Sequence, residues 1–291
     1  MGDSVPAAWV QPPSGPRPSL AVRALAAGVA LVFALLSLVL VGAGPRVTAA
    51  WPWPEMSISF VFLGAITASV ATVWASVALS GEFAALAGVG LNIVVAGVPA
   101  IVFLGWQVAT GAHADLGLAL AFAIASSAFG LWLWRATRGL PVHDPRPLPR
   151  TVRVAFFAFV VTLVVAGTAL AVQRQVFPWR LQPSSATLFG FIFLGAAAFF
   201  ANAVRSGRWA VAAPALWGFL AYDLVLFVPY GRLLFADTAA ADDFYGDGQR
   251  VDMASLAVYL TVLAASTMLA LHAALVDPAT RLWRARDAEH Q

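Results

Sequence analysis

Asp223 stands in the middle of a long apolar run, Ala221-Tyr-Asp-Leu-Val225, and is the only acidic residue well inside one. A carboxylate near the centre of a bilayer costs about 2.5–3.5 kcal/mol on insertion scales, so it demands a partner, a proton or water. Asn92 is the one strongly polar residue in its own run, and an ungapped alignment of the two halves of the chain sets it opposite Asp223. With Tyr222 beside the acid, Asn92, Tyr222 and Asp223 form a candidate site at the seam between the halves. The alignment predicts Asn92 within side-chain reach of Asp223, or across a shared cavity. Such a site would serve a substrate group or a proton. As plain structure it would be an interhelical hydrogen bond, often worth only about 0.6 kcal/mol.

The other acidic concentration is a loop, 232–252, with Asp242, Asp243 and Asp247 among its carboxylates and glycines nearby. Carboxylates and glycine can wrap calcium, but Asp242-Asp-Phe-Tyr-Gly-Asp-Gly248 lacks the spacing of an EF-hand loop. A solvated surface loop is expected, with Asp252 as the N-cap of the helix that follows. His272 falls near a span end, while His113, His143 and His290 lie in loops or the tail, so the chain alone supplies no pair of axial haem ligands inside the membrane. The absence of Cys excludes disulfides and thiolate chemistry. No phosphate loop, nucleophile triad, metal-binding His/Glu pair or basic nucleic-acid patch is present. The sequence therefore points to no catalytic residue, no metal, no cofactor and no nucleic-acid partner.

The elements that carry these residues follow from hydropathy. Apolar residues make up 61% of the 291 positions and charged ones 11%, too little polarity to cover a soluble core of this size. Runs of about 20 apolar residues, enough to cross a bilayer, fall near 24–43, 56–80, 83–106, 116–134, 154–172, 185–204, 209–231 and 253–276. They are continuous rather than alternating, which predicts helices and not strands. The first run is too long for a signal-peptide core and is read as a retained span. The expected fold is all-α, a polytopic membrane protein of eight transmembrane helices.

Phe60-Val-Phe-Leu-Gly-Ala65 recurs as Phe191-Ile-Phe-Leu-Gly-Ala196, each in the second run of a group of four. Pro52-Trp53 and Pro178-Trp179 precede those same runs. This predicts two parallel four-helix repeats, related by an axis along the membrane normal. The divisions are a disordered cytoplasmic tail (1–23), a first repeat (24–134), an Arg/Pro-rich cytoplasmic linker (135–153), a second repeat (154–276) and a cytoplasmic tail (277–291). All 17 basic residues are Arg. That usage, with abundant Ala, Val and Leu, suggests a high-GC bacterial coding sequence and hence a bacterial cytoplasmic membrane, and placing both termini in the cytoplasm puts most of the Arg inside, as the positive-inside rule requires. Trp51, Trp53, Trp106 and Trp179 then fall at the outer interface, and Trp132, Trp134 and Trp209 at the inner one.

Phe177-Pro-Trp-Arg-Leu-Gln-Pro-Ser-Ser-Ala186, followed by Gly190-Phe-Ile-Phe-Leu-Gly195, resembles a pattern in uncharacterised actinobacterial polytopic membrane proteins. There Pro-Trp-x-Leu-x-Pro-x-Ser/Thr-Ala precedes a helix opening Gly-x-x-Phe-Leu-Gly. Trp51-Pro-Trp-Pro-Glu-Met-Ser-Ile-Ser59 is a shortened version. The resemblance implies a multi-span membrane protein and no activity. Its physical reading is a Trp anchor at the headgroups, a Pro183 stop and a Ser184 or Ser185 cap.

Sparse intramembrane polarity favours an accessory or scaffold subunit of a membrane complex, with the lipid bilayer and a membrane-protein subunit as partners. The alternatives are a small-solute or proton-coupled permease with its site at the repeat seam, and a membrane enzyme using the outer acidic loop.

Overall fold

The computed structural model describes residues 18–42, 53, 57–111, 116–144, 146–235, 251–277 and 280. Asp242, Asp243, Asp247, Trp51 and most of both predicted tails lie outside the described residues. Eight helices are long and apolar enough to cross a membrane. They are α1 (Leu20–Val41), α2 (Ser57–Ser80), α3 (Leu86–Ala109), α4 (Gly117–Thr137), α5 (Arg150–Ala171), α6 (Pro183–Ser206), α7 (Trp209–Phe235) and α8 (Met253–Leu271). A short 3-10 turn, Phe83–Ala85, leads into α3, and one π turn, His272–Val276, extends α8. No strand occurs among the described residues. The protein is an all-α, membrane-embedded, multi-pass chain, and eight crossings return it to the face from which it started, here called the termini face.

Neighbouring helices pack as α1 on α2, α3 on α4, α5 on α6 and α7 on α8. Two pairings join the first four helices to the last four: α2 on α7, and α3 on α6. Helices α2, α3, α6 and α7 are therefore central, and small residues on α2 and α6 also serve their pairings with the outer helices α1 and α5. Without a strong hydrophobic drive between helices in lipid, close backbone approach supplies the attraction. A Cβ on Gly64 would stand 2.6 Å from Val41 Cγ2 of α1, and one on Gly190 would stand 2.6 Å from Gly167 O of α5. Ser37 Oγ donates to Gly64 O at 2.7 Å and locks the first of these crossings.

The ends of α2 and α6, and the starts of the segments leading into α3 and α7, stand at one interval, whereas α1 and α5 begin 130 residues apart and α4 and α8 136. Ser57 and Pro183, Ser80 and Ser206, and Phe83 and Trp209 each stand 126 residues apart. The same interval equates Trp53 with Trp179, Ser59 with Ser185, and Gly64 with Gly190, all of them buried. The Phe60/Phe191 block lies 131 residues apart, five residues out of this register, well over one helical turn.

The 138–149 connection is not a loose linker. Leu148 N donates to Gly207 O at 2.9 Å and Trp209 N to Arg146 O at 3.0 Å, so it pairs with the α6–α7 turn. Glu82, in the α2–α3 turn, accepts from His143 N at 3.1 Å and Asp144 N at 2.8 Å. Gly207, at φ 62°, makes the α6–α7 turn that this pairing needs.

Interfacial tryptophans divide into two kinds. Trp106 and Trp132 are exposed, as headgroup anchors should be, but Trp53, Trp179 and Trp209 are buried in the bundle. The entry to α6 also departs from expectation. Gln182 is its N-cap, with no side-chain cap bond, Pro183 opens the helix and Ser185 is fully buried. Asp252 caps α8 as expected, accepting from Ala254 N at 3.1 Å and Ser255 Oγ at 2.6 Å.

Candidate functional site

Asp223 lies near the midpoint of α7 and is fully buried. Its neighbours are on α8: Ser266 Oγ is 2.6 Å and Thr267 Oγ1 3.2 Å from Oδ2. Oδ1 has no hydrogen-bond partner among the described residues, and no ion pair reaches the carboxyl there. The Tyr222 hydroxyl is hydrogen-bonded to the Tyr259 hydroxyl of α8, and its ring stacks on Phe219 with centroids 5.6 Å apart.

Asn92 is elsewhere. It sits on α3 where that helix meets α6, so close that a Cβ on Gly195 would stand 2.4 Å from Asn92 Oδ1 and 2.6 Å from Asn92 O. Asp223 serves the α7–α8 contact, Asn92 the α3–α6 contact, and no hydrogen bond joins them. The helix register explains the separation. At an interval of 126 residues the counterpart of Asn92 is Gly218, and the counterpart of Asp223 is Gly97. The contacts agree: Gly218 meets Ser69 of α2, and Ser69 is the counterpart of Gly195. Gly97 meets Ser127 of α4, as Asp223 meets Ser266 of α8. Tyr222 does accompany Asp223, as chain neighbours must, but Asn92 does not complete the trio.

On the side away from the termini, Asp223 is sealed. Phe62, Phe177, Trp179, Phe189, Leu226, Tyr230, Leu260 and Leu263 form one buried cluster over it. Phe62 and Phe177 meet edge to face with centroids 4.8 Å apart, and Trp179 Nε1 donates to Ser59 Oγ at 3.1 Å. Gln175 Nε2 donates to the carbonyls of Phe177 and Trp179, holding that segment down over the helix ends.

On the termini side a cleft of about 950 Å³ opens between α2 and α7, unforeseen in the sequence. The two helices touch where Gly218 meets Ser69 and Val73, and the cleft occupies the space between them toward the termini face. Thr72, Ser76 and Leu79 line one wall and Trp209, Pro214 and Trp217 the other, with Glu82, Asp144 and Arg146 at the mouth. Those charges are already engaged: Arg146 Nε donates to Asp144 Oδ2 at 2.7 Å, and Glu82 holds the backbone of the connection. The only available signal was positional, since Glu82 directly follows a span and Trp209 and Pro214 open another.

No group of three or more His, Cys, Asp or Glu side chains suited to a metal occurs among the described residues. The electrostatics outside the membrane are local. At the α8 N-cap, the Ser255 hydroxyl, with help from Ala254 N–H, holds the Asp252 carboxyl below its usual range. No family model matches the chain, and no curated protein or solved structure does either.

Proposed function

We propose that this protein is an accessory or scaffold subunit of a complex in a bacterial cytoplasmic membrane, with both termini in the cytoplasm and without evident catalytic chemistry. One observation carries the reading: the contacts between the first four helices and the last four are closed by backbone. Gly195 of α6 meets Asn92 and Ala96 of α3, and Gly218 of α7 meets Ser69 and Val73 of α2, leaving no room for a solute at either crossing. A permease built on a repeat needs a cavity at that level. The 126-residue interval that relates α2 to α6 and α3 to α7 supports an ancestral duplication into two parallel four-helix units, and the Arg bias supports the orientation. A bilayer and a second membrane protein are then the natural partners.

Affinity isolation from native membranes into nanodiscs, at native expression, tests this. A stoichiometric integral-membrane partner is expected, and recovery as a lone chain would refute the scaffold role. A C-terminal reporter active only outside the cell would refute the orientation. The cleft on the termini face favours one other reading, a permease seen closed on its far side. Solute flux in vesicles containing this chain alone would establish that instead.

A further inference from the structure

We propose that Asp223 and Ser266 form a buried proton site, in which the carboxyl holds a proton as the neutral acid and exchanges it only from the side of the α2–α7 cleft. This goes beyond the scaffold reading and does not depend on it. Two oxygens 2.6 Å apart need a hydrogen between them, and Ser266 Oγ and Asp223 Oδ2 are that close. Ser266 Oγ also stands 3.0 Å from Val262 O and 2.9 Å from Leu263 O, the usual back-bond of a helix serine in lipid. A hydroxyl has one hydrogen to give. When Ser266 donates to its own helix, the hydrogen it shares with Asp223 belongs to the acid.

The ionised alternative stacks two donors, Ser266 and Thr267, on Oδ2 and leaves a charged Oδ1 bare in a site with 0% exposure. The neutral acid leaves bare only an uncharged carbonyl-type oxygen, a much smaller loss. No ion pair among the described residues offsets the difference. The titratable groups nearby are Tyr222 and Tyr259, whose hydroxyls bond each other, and Tyr230 of the overlying cluster, while α2 and α6 turn apolar and aromatic side chains into this region. Nor does helix packing require an acid here. At the matching crossing, Gly97 and Ser127 bring α3 against α4 without one.

The direction of exchange follows from the surroundings. Beyond Asp223, away from the termini, the Phe62–Phe177–Trp179 cluster fills the space. Toward the termini, the cleft reaches Trp217, six residues back along α7 or about 9 Å, and the Gly218–Ser69 contact, too tight for a solute, is what a proton must pass between the two. Thr72 stands on the facing wall.

Infrared difference spectroscopy of the full chain in lipid nanodiscs reads the proton directly. At neutral pH the wild type should show the carbonyl stretch of a protonated carboxyl, and Asp223→Asn should lose it. Ser266→Ala, which keeps the acid and removes its partner, should move that band to higher frequency. A wild-type spectrum without the band, or a Ser266→Ala band in the wild-type position, overturns the site, even if Asp223→Asn fails to fold. Transfer to D2O tests the direction: Trp217→Ala should speed the isotope shift of the band several-fold. An unchanged or slower shift overturns exchange through the cleft.

Discussion

Replacing Gly195 with alanine tests the closed contact between the two sets of four helices. An added Cβ would stand 2.6 Å from Asn92 O, 2.4 Å from Asn92 Oδ1 and 2.9 Å from Ala96 Cβ, whereas ordinary contact begins at 3.4 Å. The Asn92 amide can rotate away. The carbonyl of α3 cannot, so the two helices must part by about 0.8 Å at their crossing. Overpacking of this kind costs about 1–3 kcal/mol. The control is Gly105→Ala on α3, where a Cβ meets nothing within 4 Å. There alanine should be neutral or stabilising by up to about 1 kcal/mol through helix propensity. Asn92→Ala in the Gly195→Ala background should restore only part of the loss, because the backbone oxygen remains. Unfolding by SDS in bicelles, followed by circular dichroism, measures all four proteins. If Gly195→Ala and Gly105→Ala agree within a few tenths of a kcal/mol, the contact is not closed by backbone, and the argument against a central solute path falls.

Three further outcomes follow from single contacts. Asp223→Leu should destabilise the chain by about 1–2 kcal/mol in the same assay, by stranding the Thr267 hydroxyl and taking the hydrogen-bond partner from Ser266 Oγ, while Asp223→Asn stays close to wild type. Glu82→Ala should expose the 138–149 connection to protease and lower stability by about 1–3 kcal/mol, because two backbone donors lose their acceptor. Glu82→Gln, which keeps one acceptor oxygen but sets an amide NH2 against the other backbone N–H, should fall between the wild type and Glu82→Ala in the same protease assay. At the α8 N-cap the folded-state acidity of Asp252 is enhanced, so its contribution is present at neutral pH and is lost as pH falls through the carboxylate range. Hydrogen exchange of the first α8 amides should quicken on acidification, and Asp252→Asn, which still caps, should flatten that response.

Hydropathy placed all eight helices to within a few residues, because the need to satisfy every backbone group inside lipid leaves few alternatives. It could not say which face of a helix meets which neighbour. Phe60 and Phe191 offered the most visible echo, yet α2 and α6 begin and end at the interval of Trp53/Trp179 and Gly64/Gly190. Small residues at backbone contacts keep their register, whereas Phe and Leu can fill space from several positions along an apolar helix. That five-residue slip is what paired Asn92 with Asp223. Asp223 itself was legible as an isolated carboxylate in an apolar run, but Ser266 and Thr267 were not, since hydroxyls are common in such helices and usually bond their own backbone. The cleft was invisible for another reason: it arises from the angle between two helices rather than from any residue.

The strapping of the 138–149 connection bears on how the chain is made. Glu82 holds His143 and Asp144, and Arg146 and Leu148 hold the α6–α7 turn, so one short segment is bonded to both sets of helices. The first set leaves the ribosome with α2 and α3 facing lipid, because α7 and α6 have not yet been made. Its half of the strap can form at once, but the other half waits for Gly207 and Trp209. The order of synthesis thus makes the α6–α7 side of the strap the last to be available, and its closure ties α7 to the segment that Glu82 already holds beside α2.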